Sequence, residues 1–243
     1  MFGRGTMFGR RARRDKPEHQ AVPEAPVDEF ARARQVGDGV LAHAAKVFAD
    51  PRGLHAETVL TVLGSLAGRA AQIAATLGVQ SGAPEYRGRV NRVAQDPTGT
   101  QFAVGDGINL PLFESPDSVH AIVTAPLLAA GRTAPTVEDI ARHGAATMGT
   151  PAFEVPRFAP GTTARWMPRE AVGFGLQTLA IPPIALPPEQ WYVAYATAAA
   201  KLLEMNRPHL DIEPLTRVVL DSANIGAKLL VTPTVDPLVQ TSA

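Results

Sequence analysis

The spacing of apolar residues predicts two helices near the start of the chain. Apolar side chains at helical spacing indicate a first helix that ends at the turn-forming residues 50–53; these side chains are Val40, Leu41, Ala44, Val47 and Phe48. A longer apolar run predicts a second helix over residues 54–77. Its polar positions form one narrow stripe, which is typical of a helix buried on most sides. Gly64 and Gly68, four residues apart, would let a neighbouring helix come close.

The middle of the chain has the alternation typical of strands. Residues 89–94 and 100–104 flank a turn-rich segment, 95–99, which predicts a hairpin. Ile108, Leu110 and Leu112 also alternate with other residues. Because Pro111 cannot donate a backbone hydrogen bond, this last piece is predicted to be an edge strand or an extended loop.

Capping residues predict two further helices. Ser115, Pro116 and Asp117 resemble a helix start with an N-cap serine, and Pro126 would kink or end that helix. Thr136 with Asp139 resembles a capping box and predicts a helix to about residue 148.

The last third of the chain is predicted to contain two strands and two helices. Phe153 with Val155 indicates one strand, and the alternation over 172–178 indicates another. Pro188 then begins an amphipathic helix, and Glu213 with Pro214 opens the last one. The apolar face of the Pro188 helix consists of Trp191, Tyr195, Ala198, Leu202 and Met205.

This order of elements predicts a helix-rich α+β fold with a small, mostly antiparallel sheet, because the strands lie too close together for repeated βαβ units. We expect one globular domain over residues 27–243, preceded by a tail over residues 1–26 that has too little apolar surface to order itself. The longest apolar stretch carries a charge and several polar residues, so we expect no membrane span.

The amino-acid composition excludes several kinds of functional site. The chain has no cysteine, which excludes disulfides, thiolate metal sites and cysteine nucleophiles. Aromatic residues make up only 6% of the chain while alanine is common, so the core is predicted to use small side chains and close backbone approaches. No apolar run follows the paired arginines near the start, which argues against an export signal. We expect a soluble, cytoplasmic protein.

Charge is distributed unevenly along the chain. Six basic side chains against two acidic ones give residues 1–20 a net charge of +4, so the remainder of this neutral chain carries −4. Such a tail could touch nucleic acid or an acidic surface, or simply aid solubility. The first four residues recur at 7–10, so Met1 and Met7 are both possible starts. The basic residues are Arg4, Arg10, Arg11, Arg13, Arg14 and Lys16.

Motifs for cofactors and metals are missing from the sequence. Neither phosphate-binding glycine pattern occurs, and no H-E-x-x-H or comparable pair of metal ligands is present. We therefore expect no cofactor and no metal site.

A hydrolase pocket is one open alternative. Two glycines around Asp106 allow unusual backbone angles, and a carboxylate held in a tight turn can bind a cation or a substrate hydroxyl. Asn109, Glu114 and His120 follow closely in the sequence. A turn that merely needs glycine, without any ligand, is the preferred explanation of the same residues.

Two smaller groups also have a functional and a structural explanation. Asp139 and His143 lie four residues apart, where they could share a metal, form an acid-oriented base or make a simple ion pair. Trp166 stands between Arg165 and Arg169, an arrangement that could hold a nucleotide or an anionic ligand. The same residues could instead be a tryptophan that covers the edge of the core and two solvated arginines.

We expect a non-catalytic binding or accessory module that acts through a protein partner or a second copy of itself. Catalysis by the Asp106 group and weak nucleic-acid or acidic-surface binding through the tail remain the alternatives.

Overall fold

The computed structural model describes residues 28–51, 53–182 and 185–230, so the predicted tail over 1–26 lies outside the described residues. Its helices are α1 (Ala31–Phe48), α2 (Ala56–Ser81), the single turn α3 (Asp106–Asn109), α4 (Val119–Ala129), α5 (Val137–Thr147), α6 (Pro168–Thr178), α7 (Trp191–Asn206) and α8 (Ile212–Gly226). Two antiparallel pairs of strands complete the fold: β1 (Ala49–Asp50) with β2 (Gly53–Leu54), and β3 (Asn91–Gln95) with β4 (Gln101–Gly105). The predicted helix-rich α+β class is therefore confirmed.

Helix α2 lies at the centre and packs against α6, α7 and α8, while α1 and α4 pack on α7. Small residues make these approaches possible. A Cβ on Gly64 would lie 2.6 Å from the Val219 carbonyl oxygen of α8, and one on Gly68 would lie 1.9 Å from that of Ala223. The predicted close approach at these two glycines is confirmed. Buried alanines fill much of both α2 and α7, as the composition predicts.

The length and apolar composition of α2 would let it cross a bilayer, but 78% of its most apolar window is buried inside the fold. Core helices of globular proteins meet the same criterion, so this is weak evidence for a membrane span. Two of its polar residues are satisfied within the helix: Ser65 Oγ donates to the Thr61 carbonyl at 2.7 Å, and Thr76 Oγ1 donates to that of Gln72 at 2.8 Å.

The hairpin of β3 and β4 has the predicted position, with Val93 opposite Ala103. The edge strand or extended loop predicted over residues 108–112 is wrong, because this part of the chain is helical. Residues Asp106–Asn109 form the helical turn α3, and Leu110–Glu114 form a wider helical turn directly after it. The Ser115 N–H closes this second turn by donating to the Leu110 carbonyl oxygen at 2.9 Å. Pro111 fits the first turn of that segment, where its missing N–H needs no partner.

Helix α4 begins three residues later than predicted. The Oγ of Ser118, rather than Ser115, accepts the N–H of Ala121 at 3.2 Å and caps the helix. Pro126 does not end the helix, which continues to Ala129. The helix predicted after Thr136 is confirmed, because the Thr136 hydroxyl accepts the Asp139 N–H at 3.1 Å at the start of α5.

The two strands predicted in the last third of the chain are wrong. Residues Pro151–Glu154 form a short 3₁₀ turn that points Phe153 at Phe102, with ring centroids 5.3 Å apart. Residues 172–178 belong to α6, which begins with Pro168 at its first turn. The helices predicted after Pro188 and near Glu213 are confirmed as α7 and α8, although Met205 on the predicted apolar face is 65% exposed.

Candidate functional site

A cleft of about 710 Å³ opens where the carboxyl end of α2 meets the start of α1. Its other walls are the 3₁₀ turn Pro84–Tyr86, the segment 110–117, and the 3₁₀ turn Pro188–Gln190 that leads into α7. Helix α2 ends at Gly82, whose φ of 68° and ψ of 29° give the left-handed cap that turns the chain toward Pro84. The volume falls within the range of about 300–1,000 Å³ typical of ligand sites.

The floor of the cleft is apolar and aromatic. Tyr86 lies flat over Gly78, since a Cβ on that glycine would lie 2.2 Å from Cε2 of the ring. Phe30 meets Tyr192 edge-on with ring centroids 6.2 Å apart. Burial raises the pKa of Tyr86 to about 12, and burial also raises the pKa of Tyr192, so both rings are neutral near pH 7.

The rim of the cleft carries five carboxylates and no lysine or arginine among the described lining residues. Two of the five are paired from outside the cleft. Arg34 contacts Asp117, and Nη2 of Arg89 lies 2.6 Å from the Glu114 carboxylate. The other three form no ion pair within the described part of the chain, so the cleft retains a negative potential; they are Glu29, Glu85 and Glu189.

The predicted Asp106 group lies beside this cleft and is only partly brought together. The Asp106 carboxylate accepts the Val90 N–H at 2.7 Å, a hydrogen bond that lowers the pKa of Asp106. Arg89 donates to the Asp106 carbonyl oxygen at 2.9 Å as well as to Glu114. One arginine thus links Asp106 to Glu114, and Glu114 is the member of the group that lines the cleft.

His120 has a different set of neighbours. Its Nε2 lies 2.8 Å from the Pro135 carbonyl oxygen, and its ring lies edge-on to Phe113 at 6.5 Å. Asn109 is the last residue of α3. Across the described ranges, no hydrogen bond or ion pair joins His120 to Asp106 or Asn109, so any joint action of the three would require a bound substrate or water between them.

Asp139 finds its partner on another segment of the chain. Arg157 donates to its carboxylate at 3.0 Å, which lowers the pKa of Asp139, and the same guanidinium forms a double hydrogen bond with the fully buried carboxylate of Asp221. His143 Nε2 is buried without a hydrogen-bond partner among the described residues. Since Arg157 holds both acids, this network ties the segment after Glu154 to α8.

The predicted ligand-binding group around Trp166 contacts other parts of the same chain. Trp166 stacks on Phe174 with ring centroids 4.7 Å apart and packs edge-on against Phe48. The flanking cations are both engaged: Arg165 with Asp50, and Arg169 with Glu154. An anionic ligand at this position would have to compete with those carboxylates.

The basic tail and the question of a metal site are the remaining points of the sequence analysis. The six basic tail residues lie outside the described residues. Within the described ranges, no three histidine, aspartate or glutamate side chains approach closely enough to hold a metal ion.

A second groove, of about 570 Å³, lies between α2 and the hairpin. Gln72 Nε2 and both amide atoms of Asn91 have no hydrogen-bond partner among the described residues there, a pattern that often marks bound water or ligand. The first cleft is larger and joins aromatic rings to a one-signed rim, so it is the candidate site.

Sequence reasoning did not predict the cleft, although one signal was present. Among the residues that the structure describes, three prolines are each followed directly by an acid, at 84–85, 116–117 and 188–189. Proline and an acid both favour the first turn of a helix, where the backbone N–H groups are positive. All three acids reach the rim of the same cleft.

No protein-family model matches the chain, and searches of curated proteins and of solved structures find no match either.

Proposed function

We propose that this protein is a non-catalytic binding module whose cleft takes a segment of a partner protein that carries both apolar and basic side chains. The observation behind this proposal is the combination of an aromatic floor with a rim of carboxylates, among whose described lining residues there is no lysine or arginine. Such a site would favour a peptide whose aromatic or aliphatic side chain enters the floor while lysine or arginine faces the rim.

The charges should contribute mainly to selectivity. Exposed ion pairs are worth about 0.2–1 kcal/mol each, and salt screens them over about 8 Å at physiological ionic strength. Two of the three unpaired rim glutamates, Glu85 and Glu189, would together favour a basic over a neutral segment by up to about 2 kcal/mol, or about 30-fold. The apolar floor supplies the salt-independent part of the affinity.

The test uses three labelled synthetic peptides with identical aromatic and aliphatic positions and with lysine/arginine, glutamine or glutamate between them. Measured by fluorescence anisotropy, the full chain is expected to bind the basic peptide most tightly, the neutral one less tightly and the acidic one least tightly. The differences in affinity should become smaller as salt is added. The double substitution Glu85→Gln with Glu189→Gln should remove most of the preference for the basic peptide, and Tyr86→Ala should weaken all three peptides.

Glu138→Gln is the matched control, because Glu138 is an exposed glutamate of α5 outside the cleft. Equal affinity for the basic and acidic peptides would overturn the proposal. An effect of Glu138→Gln as large as that of the two cleft substitutions would also overturn it, since the preference would then reflect only total charge.

A further inference from the structure

We propose that the basic N-terminal segment of the same chain, Met7–Lys16, occupies this cleft and competes with the partner segment. This inference rests on the proposed function, because it assigns an internal occupant to the same site. Five of the ten residues in this segment are basic and one, Asp15, is acidic.

The first argument is chemical complementarity. Met7 and Phe8 are followed by Arg10, and the same order occurs in the first four residues of the chain. A large apolar pair close to a guanidinium suits a site with a ring-lined floor and carboxylates above it. The arginines that follow then face a rim whose described lining residues include no competing cation.

The second argument is position. The described chain begins at Asp28, and the next two residues, Glu29 and Phe30, already line the cleft. Eleven residues, 17–27, lie between Lys16 and Asp28, and this connection can span up to about 40 Å when extended. The basic segment therefore reaches the cleft without any rearrangement of the described helices.

The third argument concerns concentration. A segment tethered this closely to its site has an effective concentration in the millimolar range. Even a weak intrinsic affinity would then fill the cleft for most of the time. The apparent affinity for a partner segment would then equal the intrinsic affinity multiplied by the fraction of molecules whose cleft is empty.

The competition test uses a fluorescein-labelled peptide of residues 7–18 and three full-length proteins. These are the wild type, a tail variant with Arg10, Arg11, Arg13 and Arg14 replaced by serine, and the cleft variant Glu85→Gln with Glu189→Gln. The tail variant is expected to bind the peptide about tenfold more tightly than the wild type, as it would if the tail fills nine clefts in ten. The cleft variant should bind weakly, and a peptide with glutamates in place of the arginines should not bind.

The outcomes separate this inference from the proposed function. Equal affinity of wild type and tail variant, with binding lost in the cleft variant, would overturn the internal competition and leave the cleft as a binding site. Binding that survives the cleft substitutions would overturn both. Absence of peptide binding to every protein would overturn the inference, while the three-peptide test above would still decide the proposed function.

Because the chain has no cysteine, a single spin label can measure directly whether the basic segment occupies the cleft. Thr6→Cys creates a single thiol for a nitroxide label, which should broaden the amide signals of Glu85, Tyr86 and Gln190 in the full chain. The broadening should disappear in the tail variant and at high salt. Unchanged signals at those three positions at low salt would show that the segment lies elsewhere.

Discussion

The substitution Gly68→Ala tests whether the contact between α2 and α8 depends on a missing side chain. The new Cβ would lie 1.9 Å from the Ala223 carbonyl oxygen, 2.6 Å from its carbon and 2.8 Å from its Cα. These are backbone atoms of a packed helix, so no side-chain rotation can relieve the overlap and the two helices must move apart.

Two opposing effects set the magnitude. Alanine is favoured over glycine inside a helix by about 1 kcal/mol. Overpacking a well-packed contact costs about 1–3 kcal/mol, and contact with backbone at this distance belongs at the upper end of that range. The net expectation is a loss of about 2 kcal/mol in the free energy of unfolding, or roughly 4–8 °C in the melting temperature of a chain of this length.

Gly39→Ala is the matched control, because Gly39 also lies inside a long helix and its Cβ would meet nothing within 4 Å. It should gain about 0.5–1 kcal/mol from helix propensity alone. Urea unfolding followed by circular dichroism gives both values from the transition midpoints at an unchanged slope. A Gly68→Ala protein as stable as the Gly39→Ala protein would refute the reasoning about this contact.

Three further predictions concern stability. Asp221→Asn should lower the free energy of unfolding by about 3 kcal/mol, because it leaves Arg157 without its buried carboxylate. Arg142→Ala breaks an exposed ion pair with Glu138 and should lower it by less than about 0.5 kcal/mol. The midpoints of urea unfolding measure both losses. Burial lowers the pKa of Lys228 to about 8, and an unfolded lysine titrates near 10.4, so the unfolded state binds more protons between these values. Wild-type stability should therefore rise by up to about 3 kcal/mol from pH 8 to 10.4 relative to Lys228→Met, and parallel curves would contradict this. Tyr195→Phe should cost about 1–2 kcal/mol in thermal unfolding, since the hydroxyl donates to a buried carbonyl oxygen at 2.9 Å; an unchanged melting temperature would show that water replaces it.

The parts of the fold that were predictable from sequence are those in which one local pattern dominates. Helix α2 has a long apolar run with small residues at a regular spacing, and the hairpin of β3 and β4 has two short apolar runs around a turn. In α2 the pattern and the final packing agree, because the apolar side chains that define the pattern also fill the core. In the hairpin only Phe102 and Ala103 of β4 are buried, while Val93 of β3 is 61% exposed, so the turn between the two strands was the decisive signal.

The errors arose where a local pattern fitted two structures. The alternating residues over 172–178 satisfy a strand, but the buried positions of α6 include Ala171, Val172 and Gly175, a helical set, and Gly175 packs against Leu66 of α2. Pro168 at the helix start and Glu170 three residues after Met167 were the signals in favour of a helix. Phe153 is buried by Phe102, a contact between distant segments that no local pattern contains.

The cleft could not be predicted for a related reason: its walls come from segments far apart in sequence, and each contributes only one or two side chains. What the sequence does contain is the imbalance of charge, +4 in the first twenty residues and −4 in the rest. The fold concentrates part of the negative charge at one site. It gathers Glu29, Glu85 and Glu189 around one apolar floor, and Glu29 is the second described residue after the basic segment. If the acids served only solubility, nothing would require them to surround aromatic rings next to the attachment point of the basic tail. Their position there is the reason to test the tail and the cleft as one system.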